Sequence, residues 1–153
     1  MVYSHKGECV ARYDKAHLFN SVVSKAEAYR ELKTTIAGNQ IVCVDTPASR
    51  IGLSICYDLR FPDFYQKLRE LGADIIVVPS AFTVITGNAH WETLLRARAI
   101  ENQVYIVAAA QVGQHPGGRL TYGHTLSVNG WGTVTDTISN KVGLITQESI
   151  STS

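Results

Sequence analysis

A cysteine stands where an apolar run breaks off. Arg50-Ile51-Gly52-Leu53-Ser54-Ile55 leads into Cys56, and Tyr57-Asp58-Leu59-Arg60-Phe61-Pro62 follows at once. The run predicts a buried strand, and the proline-led segment predicts a helix start. A thiol on such a turn points out of the sheet, and the backbone N–H groups after it can meet a developing negative charge. That geometry suits a nucleophile. A free thiol, with a pKa of about 8.5, is mostly neutral at neutral pH and needs a cation, a helix N-terminus or a base beside it. The helix at Pro62 supplies one of these.

A cation is available upstream, in Tyr13-Asp14-Lys15-Ala16-His17-Leu18-Phe19. Lys15 and His17 follow a strand-like run, so both could stand at a sheet end. There Lys15 would lower the thiol pKa and donate to an oxyanion. By spacing alone it reads as a surface residue. Asp58 and Arg60 flank the thiol; an ion pair fixing the turn is the commoner reading, and a grip on a substrate carboxylate by Arg60 is the other. Phe82, in Pro79-Ser80-Ala81-Phe82-Thr83, is a candidate pocket wall if its strand runs parallel beside that of Cys56, and otherwise simply core. His90 reads as a surface or capping residue, His124 as a hydrogen-bonded strand residue and His115 as loop. The Gly-rich stretch matches neither G-x-G-x-x-G nor a P-loop.

The elements that must hold these residues alternate. Strands are predicted at 8–13, 40–44 and up to Cys56, with a long loop at 20–38 and a tight turn at 46–49. A helix from Pro62 to Leu71 carries the stripe Phe64, Leu68, Leu71 and stops at Gly72. A buried strand at 74–79 precedes a turn at Thr86-Gly87-Asn88. A helix over 89–102 turns Trp91, Leu94, Leu95 and Ala99 inward and pairs Glu92 with Arg96. Strands follow at 104–109, 122–128, 133–138 and 142–146, with a loop at 111–121. This order predicts an α/β layered fold in one domain spanning 1–153.

Bulk properties narrow the class. The chain has 153 residues, 45% of them hydrophobic and 18% charged, which favours a folded core. A formal net charge of +1 gives no reason to expect nucleic acid or an anionic membrane as partner. No apolar stretch could span a bilayer, and the N-terminus lacks an apolar signal region. Cys9, Cys43 and Cys56 lack metal-ligand spacing, so no metal is expected; free thiols in a reducing, cytoplasmic setting are the simplest reading. Cys9 and Cys43 are expected to be buried.

Long motifs resemble the nitrilase superfamily of carbon–nitrogen hydrolases. They are Tyr-x-Lys-x-His-Leu-Phe at 13–19, Gly-Leu-Ser-Ile-Cys-Tyr-Asp-Leu-Arg-Phe-Pro at 52–62 and Pro-Ser-Ala-Phe-Thr at 79–83. His-Trp-Glu-Thr-Leu-Leu-Arg-Ala-Arg-Ala-Ile-Glu-Asn at 90–102 and Tyr-Gly-His-Thr-Leu with Trp-Gly at 122–132 complete the set. The nearest resemblance is to the Nit branch, which includes the Nit domain of Nit–Fhit fusions and the deaminated-glutathione amidases. It covers residues 8 to about 145. The resemblance implies an α-β-β-α sandwich that pairs with another subunit, a Glu–Lys–Cys catalytic set and no cofactor. Cys56 matches the nucleophile, Lys15 the lysine, and the Tyr57 N–H an oxyanion donor. The implied reaction is attack on a small amide, loss of ammonia and hydrolysis of a thioester.

The chain also departs from the pattern. The resemblance places the catalytic glutamate in a Gly-Phe-x-Glu-like segment well before the lysine, and residues 1–14 contain none. It places a second acid seven positions after the lysine, where Val22 stands. Asn129 occupies a position where aspartate is common. The expectation is a domain trimmed at both ends, with an incomplete sandwich and crippled turnover. A non-catalytic scaffold that pairs with a full-length subunit is the competing reading, and a truncated product without function a third.

Overall fold

The computed structural model describes residues 1–24 and 27–146, the side chains of residues 21–30 excepted. Two small antiparallel pairs come first: β1 (Val2–Tyr3) with β2 (Cys9–Ala11), and β3 (Asn20–Ser24) with β4 (Glu27–Arg30). A 3₁₀ turn spans Glu31–Lys33. Then follow β5 (Cys43–Asp45), β6 (Arg50–Leu53), a second 3₁₀ turn at Cys56–Arg60, α1 (Pro62–Glu70), β7 (Ile75–Val77), α2 (Val84–Asn102) and β8 (Tyr105–Ala108). A hairpin of β9 (Val112–Gln114) and β10 (Leu120–Tyr122) leads into β11 (Thr125–Val128) and β12 (Val134–Ile138).

One six-stranded sheet organises the domain, in the order β12-β11-β8-β7-β6-β5. β6, β7 and β8 run parallel, with Gly52, Ile76 and Ile106 in register. β5, β11 and β12 pair antiparallel at its margins. Parallel neighbours need crossover connections, and α1 and α2 provide them.

Alternation along the strands decides what the helices cover. Ile76, Ile106 and Ala108 are fully buried beneath Phe64, Tyr65 and Leu68 of α1 and Trp91, Leu95 and Ala99 of α2. Each large apolar side chain buried this way contributes about 1.5–3 kcal/mol. Their neighbours Ile75, Val77, Tyr105 and Val107 are only half-buried on the opposite face. The expected α/β layering holds: one sheet and one helical layer of a sandwich.

Several boundaries differ from the sequence reading. The expected loop at 20–38 holds the β3–β4 hairpin and a 3₁₀ turn. Thr86-Gly87-Asn88 is not a turn but the first turns of α2, capped by Thr83 Oγ1, which accepts the Thr86 N–H at 3.2 Å. The 111–121 loop contains the β9–β10 hairpin. Gly123 and His124, with φ of 72° and 62°, break the expected 122–128 strand in two. Residues 142–146 form no strand. Leu71 lies beyond the end of α1 and is 47% exposed rather than inward. Asn129 Oδ1 accepts the N–H groups of Trp131 and Thr133, each at 3.0 Å, a role an aspartate would fill equally well.

Candidate active site

The carboxyl ends of parallel strands form the usual crevice of an α/β sheet. Here β6, β7 and β8 end together. Ser54 N–H donates to Val77 O at 3.2 Å, Cys56 N–H to Pro79 O at 3.0 Å and Ser80 N–H to Ala109 O at 2.8 Å. These bonds lock the strand ends side by side around a cavity of about 700 Å³. Ile55–Tyr57 follow β6, Pro79–Thr83 follow β7 and Ala109–Gln111 follow β8, and all line it. Lys15 and Phe19 enter from the segment after β2, Glu31 from the first 3₁₀ turn, and Arg119 from the β9–β10 hairpin.

Cys56 holds a left-handed backbone, with φ of 48°. For a residue with a Cβ this costs about 1–3 kcal/mol, and such strain gathers at functional sites. Its own N–H is taken by Pro79, while the Tyr57 N–H has no acceptor among the described residues. Burial pushes the Cys56 thiol up, opposed by the Ala81 N–H, the Lys15 ammonium and the Ser80 hydroxyl, while the Glu31 carboxylate adds to the rise. Lys15 Nζ donates to Glu31 Oε2 at 2.6 Å, and its side chain is only 10% exposed. The same oxygen accepts the Phe19 N–H at 2.7 Å.

Behind the thiol, Asp58 is fully buried. Its Oδ2 accepts Tyr13 Oη–H at 2.7 Å and the Ile55 N–H at 2.8 Å. Its Oδ1 accepts the His17 N–H at 3.0 Å and pairs with His17 Nδ1 at 2.8 Å. Arg98, also buried, donates Nε–H to Leu59 O at 3.1 Å and ties α2 to the same 3₁₀ turn.

The family model for carbon–nitrogen hydrolases matches residues 1–149. The chain belongs to the carbon–nitrogen hydrolase family. It is 52% identical over 135 residues to the deaminated glutathione amidase of Yersinia enterocolitica, which covers 88% of this chain and 47% of that protein. The crystal structure of the Caenorhabditis elegans NitFhit protein matches with a TM-score of 0.84 and 48% identity, over 92% of this chain and 34% of that one. A variant of the amidase from Nesterenkonia sp. AN1, with acrylamide added to its active-site cysteine, matches at 0.78 and 26%, over 92% and 52%. The chain thus spans about half the length of the curated relatives it matches, with 47% and 46% of the first two covered. The resemblance read from the sequence is borne out.

In this family member the structure gathers Cys56, Lys15, Tyr57, Arg60 and Phe82 at one cavity. The Asp58–Arg60 pair does not form. Asp58 turns inward to Tyr13 and His17, and Arg60 lies over the Phe82 ring at 5.5 Å with His90 Nδ1 at 3.4 Å. The helix N-terminus at Cys56 belongs to the 3₁₀ turn rather than to α1. His17 does not line the cavity. His124 stacks on Tyr122 with ring centroids 3.9 Å apart, and His115 Nε2 lies 2.8 Å from Thr121 Oγ1. Cys9 is exposed because β2 is a marginal strand outside the main sheet, and Cys43 is half-buried on β5, the edge strand of that sheet; all three thiols are free. The Val22 side chain lies outside the described residues.

Sequence reasoning missed Glu31, Gln111 and Arg119. Glu31 sits in a polar stretch without periodicity, sixteen residues from the lysine it meets. Among the described residues no group of three or more His, Cys, Asp or Glu could hold a metal ion, and no helix is long and apolar enough to cross a membrane.

Proposed function

We propose that this chain carries the cysteine and lysine of an amidase site. The Cys56 thiolate attacks the carbonyl carbon of a small amide. The oxyanion is met by the Lys15 ammonium and the Tyr57 N–H, each such donor being worth roughly 3–4 kcal/mol. The carbon–nitrogen bond breaks, the nitrogen takes a proton and ammonia leaves. Water then hydrolyses the thioester, releasing the carboxylic acid and restoring the thiol. Arg60, at the cavity wall beside Phe82, would hold a carboxylate on the substrate, which fits the ω-amide of a dicarboxylic acid. The observation that carries this reading is the left-handed Cys56, facing a cavity that Lys15 also lines.

The activity is proposed for the complete domain. Its general base would come from the Gly-Phe-x-Glu-like segment that the resemblance implies. A general base is typically worth about 10²–10⁴ in rate, so residues 1–153 alone should turn over slowly. Assembly as a homo-oligomer through the sandwich belongs to the same proposal. An assembled, strained thiol site favours this reading over a non-catalytic scaffold.

The test is covalent. Acrylamide or fluoroacetamide should label Cys56 ahead of Cys9 and Cys43, read by peptide mass mapping. In the complete domain, Cys56→Ala should abolish ammonia release from small ω-amides. Labelling that spares Cys56, or ammonia release unchanged in the alanine variant, would sink the proposal.

A further inference from the structure

The Asp58 carboxylate joins two chain segments that carry different parts of the site. Tyr13 and His17 lie two residues to either side of Lys15, and both donate to Asp58. Ile55, the residue before Cys56, donates to it as well. The Tyr13 hydroxyl meanwhile accepts the Ala16 N–H at 3.0 Å, which closes the 13–16 segment on itself. The His17 ring stacks on Phe61 with centroids 3.7 Å apart and an interplanar angle of 12°. Lys15 is therefore held by its neighbours on one side while its side chain enters the cavity on the other.

We propose that Asp58, Tyr13 and His17 form a positioning latch that fixes the distance between Lys15 and Cys56. The latch rests on the reading of Lys15 and Cys56 given under Proposed function. None of its members touches substrate; Tyr13 and His17 act through the lysine, and Asp58 through the lysine segment and the residue before Cys56.

Physical reasons favour a carboxylate here. A buried carboxylate is tolerated only when its oxygens are fully supplied with donors, and these donors come from both segments at once. An amide in its place would turn an N–H₂ toward the donors already there. The lysine's hold on the thiol varies inversely with distance, in surroundings of low polarity. A small slip of the 13–17 segment therefore changes thiolate formation. The other charged groups lining the cavity are Glu31, Arg60 and Arg119.

The test reads thiol reactivity on the folded chain. Iodoacetamide labelling of Cys56 is followed by peptide mapping across neutral to alkaline pH, with exposed Cys9 as internal reference. Lys15→Met should move the Cys56 profile to higher pH. Tyr13→Phe and His17→Ala should move it the same way, with rates at neutral pH down about threefold to tenfold and Cys9 unchanged. His17→Asn, which returns an N–H near the Nδ1 position, should restore most of the rate.

A shift in Lys15→Met with none in Tyr13→Phe or His17→Ala overturns the latch and leaves the site reading intact. No shift in Lys15→Met overturns both. If Tyr13→Phe gives no cooperative melt, the His17 pair decides. A slowed alanine variant with a restored asparagine variant supports the latch. Equal slowing of both, or uniform acceleration at every pH, shows general loosening and overturns it.

Discussion

The Lys15 ammonium and the Glu31 carboxylate meet at 2.6 Å inside the cavity that Cys56 lines. The pair sets two opposed influences on one thiol. Lys15 draws the Cys56 proton off, and Glu31 holds it on. Glu31 also anchors the Phe19 N–H, so it fixes where the lysine segment runs. A positioned ammonium with a carboxylate counter-charge costs less to bury than an isolated one.

Glu31→Gln separates charge from position. The amide oxygen can still accept from Lys15, while the negative charge is lost. Cys56 should then react faster with iodoacetamide at neutral pH, by about twofold to fivefold. Labelling no faster than the parent chain would show that the carboxylate is not felt at the sulfur.

Alkaline pH should destabilise the fold. Burial is the main cause that raises the thiols of Cys43 and Cys56 and the hydroxyls of Tyr13 and Tyr65. Each is an acid whose neutral form the folded chain prefers. Between the unfolded and folded values the folded chain binds more protons, so unfolding releases protons and stability falls as pH rises. The contribution is complete below the ordinary thiol value of about 8.5, and the loss steepens near the unfolded tyrosine value of about 10. Urea midpoints measured from neutral pH to beyond that value should hold level at first and then fall with increasing slope. Tyr65→Phe should flatten the upper part of the curve, and a level profile in the parent chain would contradict the account.

Gly87 sets helix propensity against packing. In α2 an alanine would be favoured over glycine by about 1 kcal/mol. A Cβ at Gly87, however, would be driven into the Tyr122 ring, which stacks on His124 beside the Trp91 Nε1–His124 O bond of 2.7 Å. Overpacking of this kind typically costs about 1–3 kcal/mol, so the clash wins. Gly87→Ala should lower the melting temperature, and a rise would show that Tyr122 swings clear at no cost.

The same glycine shows what the sequence could and could not say. Gly87 reads as a turn because its type suits one, and only the approach of Tyr122, thirty-five residues on, explains a glycine inside a helix. The core strands were legible because residues 51–55, 75–78 and 104–110 are short, largely apolar runs, the middle one bounded by Gly72 and Pro79. Cys56 was legible because a lone thiol ends one of those runs. Glu31 was not, since its meaning depends on a hairpin fold that places it beside Lys15, and no local pattern encodes that meeting. Asp58 was misassigned for a related reason. Arg60 is its neighbour in the chain, but the 3₁₀ turn points the two side chains to opposite sides, one into the core and one over Phe82.

The left-handed turn at Cys56 gives a last test, independent of catalysis. Cys56→Ala and Cys56→Gly both remove the sulfur and its contacts with Ser80 and Ala81, so their difference reports backbone conformation. At φ of 48° a Cβ presses on the backbone, whereas glycine adopts that region freely. Alanine restricts the unfolded chain more and buries one further methyl group, and both favour it. Where the native φ is positive, the strain outweighs those gains. The glycine variant should therefore unfold at higher urea than the alanine variant, by roughly 1 kcal/mol. Equal midpoints, or an advantage to alanine, would mean that the thiol turn relaxes to an ordinary conformation once the sulfur is gone. The strain would then belong to the cysteine's own contacts rather than to the strand-to-turn geometry.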